Sequence, residues 1–401
     1  MKRQIVNAKI VLSNGVLDGG VIAFEDGAIT HIGKERTEAD ETLDLGGKYL
    51  VPGFIDLHCH GGNGLDFMDA TAEEMTEIAR FHLSHGTTGL YATTMTDTEE
   101  NIQKALDTYA TIKDKSTLLG AHLEGPWFNP LQCGAQATDT MQLPSVDKLQ
   151  AWVKKYPFIK RVSVAPELPQ GMQVGKAGQE LGVVMSIGHT DADFDAVLSA
   201  SENGYSLVTH LYSGMKGVER KNAFRIAGAV EGALYADKLF VEVIADGRHL
   251  PISLLKYIVK IKGADRVCLI TDGTRGSGKN NGESIILGKK DGGVYAIIED
   301  EVAKLPDRTS FAGSVATADR LFKTMIDAGF DIVSVSKMSS STPAKVMGLT
   351  DRGEIAVGKL GVLFRLFVIY DSEKQVFKSV FFGNLFLNYA IALEVIKQQI
   401  V

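Results

Sequence analysis

Between Pro52 and Gly273 the chain alternates short apolar runs with helix-forming stretches. The runs are Phe54-Ile55-Asp56-Leu57, Thr88-Gly89-Leu90-Tyr91-Ala92, Leu118-Leu119-Gly120-Ala121-His122-Leu123, Val162-Ser163-Val164-Ala165, Val183-Val184-Met185-Ser186-Ile187, Leu207-Val208-Thr209, Phe240-Val241-Glu242-Val243-Ile244 and Val267-Cys268-Leu269-Ile270. Eight β-units alternating with helices predict an α/β fold, a (β/α)8 TIM barrel, although a doubly wound sheet shows the same alternation. Polar residues decide between them. Candidate catalytic groups close many of these runs, and the C-terminal strand ends are where barrel enzymes build their sites, whereas an open sheet concentrates its ligands at one switch point.

Outside this region the pattern changes. Residues 3–50 hold short β-rich runs punctuated by Asn14-Gly15 and Asp26-Gly27, pairs that tolerate the positive φ of hairpin turns. After residue 350 short β-runs return, with Val376 to Phe382 as a strand. The simplest organisation is residues 1–51 as the first part of a small β-sandwich and 52–349 as the barrel. Residues 350–401 then complete the sandwich and add a C-terminal helix. Val380 to Ile396 is apolar but short for a membrane span and holds Gly383, Asn384, Asn388 and Glu394, so a strand followed by an amphipathic helix is expected.

Composition narrows the function. A chain of 401 residues with 45% hydrophobic and 23% charged residues is that of an ordinary globular protein. The net charge of −7 offers no general attraction to nucleic acid or an anionic membrane, so any phosphate contact must be local. Three cysteines, Cys59, Cys133 and Cys268, form no pair pattern and read as free thiols of a reducing compartment. Asn7 and Lys9 interrupt what would be the apolar segment of a signal peptide, and a cytoplasmic location is expected.

His58-Cys59-His60 ends the first apolar run. Side chains one residue apart on a strand share a face, so both rings can grip one ion. Glu124, His189, His210, His249 and Asp272 end later runs, a nitrogen and oxygen set suited to a divalent transition metal. Any one of these has an ordinary explanation: a solvated Glu before Gly-Pro, a hydrogen-bonded core His, a turn Asp before Gly. Independent core histidines would not choose the same barrel face. Asp272, beside a metal, can accept a proton from water and return it to a leaving group. His249, just after Asp246-Gly247, is better placed as a substrate contact. Arg220, Lys221 and Arg225, with Lys216 and Asn222, read either as a solvated surface or as a local anion clamp, since arginine offers a bidentate fork to phosphate. His82 and His85, before Gly86, are expected at a helix end.

These segments resemble the amidohydrolase superfamily and, within it, the N-acetylglucosamine-6-phosphate deacetylases. The resemblance is carried by Pro52 to Gly61, His122 to Pro130, Ile187-Gly188-His189-Thr190, Thr209-His210-Leu211-Tyr212, Ala245 to His249, Thr271-Asp272-Gly273 and Ala312-Gly313-Ser314, in that order. It implies a barrel flanked by a β-sandwich, metal ligation by Glu124, His189 and His210, and catalysis by Asp272. It further implies that His58 and His60 can hold a second ion, that His249 contacts the sugar and that an arginine, Arg220 or Arg225, binds the 6-phosphate. Where the family commonly has Gly-Ala-His the chain reads Gly134-Ala135-Gln136, and Ser213-Gly214 stands for the usual Asn-Ala, so Gln136, Ser213 and Gly214 are the expected substrate-facing residues. The tail from Gly361 to Phe367 lacks the acidic residue expected there. The implied reaction converts N-acetyl-D-glucosamine 6-phosphate to glucosamine 6-phosphate and acetate, in amino-sugar catabolism. Alternatives are another acetamido-sugar phosphate, such as N-acetylgalactosamine 6-phosphate, or a non-catalytic sugar-phosphate sensor, against which the retained Asp272 weighs. Zinc is the expected metal, with iron, manganese and cobalt also suited to the ligands, as one or two ions in a homodimer.

Overall fold

In the computed structural model, which describes residues 1–112, 117–359, 365–372 and 376–382, all eight apolar runs become neighbouring parallel strands. They are β1 (Phe54–Cys59), β2 (Thr87–Thr94), β3 (Leu118–Glu124), β4 (Ile159–Val164), β5 (Val184–Ile187), β6 (Tyr205–Val208), β7 (Phe240–Val243) and β8 (Val267–Leu269). The ring closes between the ends of β8 and β1: Asp272 N donates to His58 O at 2.9 Å and His60 N to Gly273 O at 2.8 Å. This is the expected TIM barrel.

The intervening helices carry one apolar face. In the helix Ala318–Asp327 the buried residues Ala318, Leu321, Phe322 and Met325 repeat at the spacing of one helical stripe. The helix Ala72–Ser84 starts on a capping box, Thr71 with Glu74, which satisfies two otherwise orphaned N–H groups. His85 is its C-cap residue, as expected, and its Nδ1 lies 3.0 Å from Asp319.

Strands from both chain ends join in one seven-stranded sheet. Arg365–Asp371 pairs with Tyr49–Pro52, which pairs with Lys2–Leu12, so strands of the first fifty residues and the strands Arg365–Asp371 and Val376–Phe382 build one sheet. The strand Lys2–Leu12 shifts register between Ile5 and Ala8 and again before Ile10. Such bulges bend a strand. Ile5, Ile10, Ile22, Phe24, Leu45 and Leu50 fill the small core that results. The expected C-terminal helix lies outside the described residues.

One element was not foreseen. After β8 the strands Ser284–Leu287, Val294–Glu299 and Val302–Lys304 form a separate antiparallel sheet, and the segment that follows it reaches the barrel mouth. Among the described residues no helix is long and apolar enough to cross a membrane.

Candidate active site

Strand geometry delivers the polar groups. β1 shifts register against β2 between Asp56 and Cys59, and His58 and His60 then converge, with Nε2 atoms 3.1 Å apart. Cys59 points away, its thiol 3.2 Å from His82 Nε2. Glu124 ends β3, while His189, His210 and Asp272 follow β5, β6 and β8. The last three hold left-handed backbone, with φ of 48°, 26° and 47°. Each such residue costs about 1–3 kcal/mol, a strain kept only where surrounding structure holds it.

The six side chains form one buried cluster. Oε1 of Glu124 lies 2.9 Å from His210 Nε2, 3.3 Å from His58 Nε2 and 3.5 Å from His189 Nε2. Oδ1 of Asp272 lies 3.3 Å from the Nε2 atoms of both His58 and His60. The triads His58, His60, Asp272 and His58, Glu124, His210 each offer three ligand atoms within 4.8 Å of one another.

Donor chemistry tests whether a cation fits. Nδ1 of His189 sits 2.8 Å from the carbonyl of Gln132, which can only accept, so Nδ1 carries the hydrogen. In the neutral ring Nε2 then turns a lone pair toward the Glu124 carboxylate. A lone pair facing a carboxylate calls for positive charge between them. Elsewhere in the cluster protons answer that demand: against the opposing effect of burial, Glu124 and Asp272 push His58 up to about 9 and His60 up to about 10. Burial works against ionisation of Glu124 and Asp272 too, yet the surrounding imidazoles hold both carboxyls below their ordinary range. The residues therefore fit a divalent ion, with an excess of acceptors directed at one small volume.

His60, Glu124, His189, His210 and Asp272 form the floor of a cavity of about 560 Å³, within the usual size of small-molecule sites, with His58 buried beneath them. Its walls include Gln136, Ser213, Gly214 and His249, all expected there, and Thr274, Lys304, Arg308, Thr309, Ser310 and Phe311, which sequence reasoning missed. His249 is held by Asp246, whose Oδ2 lies 2.8 Å from Nδ1, and its ring packs on Phe311 with centroids 4.7 Å apart. Gln136 donates its amide to Oε2 of Glu124 and accepts from Thr96 N at 2.9 Å, so it orients the carboxylate while lining the cavity. Gly214 presses on the His189 ring and accepts from Thr190 N at 3.0 Å.

Arg220 and Arg225 are not brought into this cavity. They pair across an exposed hairpin, Glu219–Lys221 with Phe224–Ile226, outside its lining. Nearness to His210 in sequence suggested them; the hairpin is exposed and contributes no residue to the cavity lining. The missed cations belong to the insertion, Lys304 at the end of its last strand and Arg308 in the segment that follows, and Asp291-Gly292 was the available turn signal.

Strand-end histidines and carboxylates converging on a cation-seeking point at the mouth of a TIM barrel define a metal-dependent hydrolase. The chain belongs to the amidohydrolase family, whose model matches residues 49–383. Over 361 residues it is 32% identical to N-acetylglucosamine-6-phosphate deacetylase of Lysinibacillus sphaericus, covering 88% of this chain and 91% of that one. The enzyme of the same name from Bacillus subtilis is 31% identical over 394 residues, covering 95% and 96% of the two chains. The crystal structure of N-acetylglucosamine-6-phosphate deacetylase from Pasteurella multocida superposes with a TM-score of 0.87 at 25% identity, covering 96% of this chain and 99% of that one.

Proposed function

We propose that the chain hydrolyses the acetamide of N-acetyl-D-glucosamine 6-phosphate, giving D-glucosamine 6-phosphate and acetate in amino-sugar catabolism. The observation that carries this reading is the convergence of Glu124, His189, His210, His58 and His60 with Asp272 at the bottom of a sugar-sized cavity, all but the fully buried His58 lining its floor. Glu124, His189 and His210 are proposed as the primary metal ligands and His58 and His60 as ligands that can hold a second ion, zinc being the leading candidate. When bound, the metal supplies a polarising charge for the acetamide carbonyl and lowers the pKa of water.

The remaining work falls to the chain. Asp272 accepts a proton from the attacking water as its oxygen bonds to the carbonyl carbon. It then delivers that proton to the sugar nitrogen as the carbon–nitrogen bond breaks. Acetate and the free amine leave. His249, fixed by Asp246, offers Nε2 to a sugar hydroxyl, and Ser213 and Gly214 form the neighbouring wall.

For the phosphate, the cations that line the cavity are Lys304 and Arg308. Each is paired with a carboxylate of the inserted sheet, Lys304 with Asp300 at 2.5 Å and Arg308 with Glu299 at 2.6 Å. Exposed pairs of this kind contribute little, so a phosphate dianion can displace the carboxylates. Arg220 and Arg225 are the competing assignment. A cytoplasmic homodimer completes the reading, and sedimentation of the purified protein tests its assembly state.

Acetate release from N-acetylglucosamine 6-phosphate, N-acetylgalactosamine 6-phosphate and unphosphorylated N-acetylglucosamine tests the function. The gluco phosphate is expected to give the highest kcat/KM. A preference for the galacto phosphate moves the substrate assignment, and release from none of them overturns the enzyme reading.

A further inference from the structure

Behind the metal-seeking cluster, inside the barrel, a guanidinium and a carboxylate are buried together. Arg161 of β4 and Glu242 of β7 both have 0% exposure and neither lines the cavity. Arg161 grips Glu242 with both Nη atoms, Nη2 at 2.8 Å from Oε2. Its other contacts are Leu57 O at 2.9 Å, Thr209 Oγ1 at 3.1 Å and Ser186 Oγ at 3.4 Å. Leu57 and Thr209 are the residues that precede His58 and His210.

Glu242 completes the connection. Its Oε2 accepts from the backbone N of His210 at 3.3 Å and faces Nδ1 of His58 at 3.7 Å. That Nδ1 is buried without a hydrogen-bond partner, while Nε2 of the same ring faces Glu124 and Asp272. One buried pair thus touches two of the proposed ligands, one on β1 and one just after β6.

Stability does not account for such a pair. Desolvating two charges costs as much as their attraction returns, and well-packed apolar replacements are often neutral or stabilising. A carboxylate behind a histidine that faces a metal does have a use: it fixes the ring's orientation and places the hydrogen on the far nitrogen.

We propose that Glu242, clamped by Arg161, is a positioning residue for the metal centre. It directs Nδ1–H of His58 inward, so that Nε2 is presented to the cation, and it holds the backbone of His210 against β7. The proposal rests on the metal-centre reading above.

The test compares metal affinity and folding in wild type, Glu242→Asp and the charge-balanced double variant Arg161→Met with Glu242→Gln. Zinc affinity of the chelator-stripped proteins is measured by competition with a chromophoric chelator, and melting temperature is measured in excess chelator. Both variants are expected to fold and to bind zinc about 10–100-fold more weakly, the usual cost of losing a ligand's outer partner. Glu242→Asp retains the ion pair but withdraws the carboxylate from His58, so it serves if the double variant does not fold. Unchanged affinity in a folded variant, with only the melting temperature altered, makes the pair structural and overturns the proposal. Wild-type protein that binds no divalent ion refutes the metal reading itself, a result distinguishable from the first.

Discussion

Oε1 of Glu124 lies 2.9 Å from Nε2 of His210, an oxygen that the rings of His58 and His189 also approach within 3.5 Å. Gln136 occupies the second oxygen. This makes Glu124 the hub of the centre. Glu124→Gln is expected to weaken metal binding by more than the roughly 10–100-fold that loss of an outer partner costs. Elemental analysis of protein purified without chelator checks it; normal metal content would remove Glu124 from the ligand set.

Asp272 has a different role, so its removal should look different. Asp272→Asn keeps the shape and cannot take a proton. Metal content should stay near that of wild type while kcat falls by about 10²–10⁴, the usual share of general acid–base catalysis. Pre-steady-state and steady-state acetate release would show it, and full activity would end the proton-shuttle assignment.

Gly214 supports His189 from outside. Its φ is 55°, and a Cβ there would stand 2.7 Å from Nδ1 of His189 and 3.0 Å from Gln132 O. Gly214→Ala therefore meets both a backbone penalty of about 1–2 kcal/mol and a direct clash with the ring. The expected result is a lower melting temperature together with weaker metal binding. A variant with wild-type metal affinity would show that the ring does not depend on this close approach.

These three positions show what was readable from sequence. The barrel strands were visible because each is a nearly continuous apolar run, and strand ends project their next polar residues onto one face. His58, His60, Glu124, His189, His210 and Asp272 followed from that rule. Arg161 and Glu242 did not: Glu242 is a lone charge within an apolar run and Arg161 stands beside Lys160 just before one, so both read as solvent-facing strand residues, and only the closed ring brings the two together. Lys304 and Arg308 were hidden for another reason. They lie on an insertion whose local pairing says nothing of where the sheet leans, just as the proximity of Arg220 and Arg225 to His210 in sequence did not bring them to the cavity.

His82 governs part of the acid sensitivity. Burial pushes its pKa down to about 4, despite the nearby carbonyl of Gly61 at 2.8 Å. The folded protein thus keeps the ring neutral where the unfolded chain would protonate it below its ordinary 6.5. More protons bound by the unfolded state means stability falls as pH drops through 6.5 toward 4, by about 3 kcal/mol in all for this group. Denaturation of His82→Gln and wild type across that range should show the wild-type advantage shrinking with acid. A constant difference would mean that the ring titrates normally.

The phosphate grip has two candidate sets. If Lys304 and Arg308 hold it, Arg308→Ala and Lys304→Ala raise KM for the 6-phosphate substrate about tenfold or more, with a smaller change in kcat, since a charged hydrogen bond is worth about 1.5–3 kcal/mol. A KM rise confined to Arg220→Ala or Arg225→Ala would assign the grip to the hairpin.

The most direct test follows metal and chemistry in the same sample. Bound divalent metal per chain and acetate release from N-acetylglucosamine 6-phosphate are measured before chelation, after it, and after titration with zinc, manganese or cobalt. The account predicts that both are lost together and that activity returns in step with metal bound. Acetate release that persists at full rate in protein stripped of metal would contradict it.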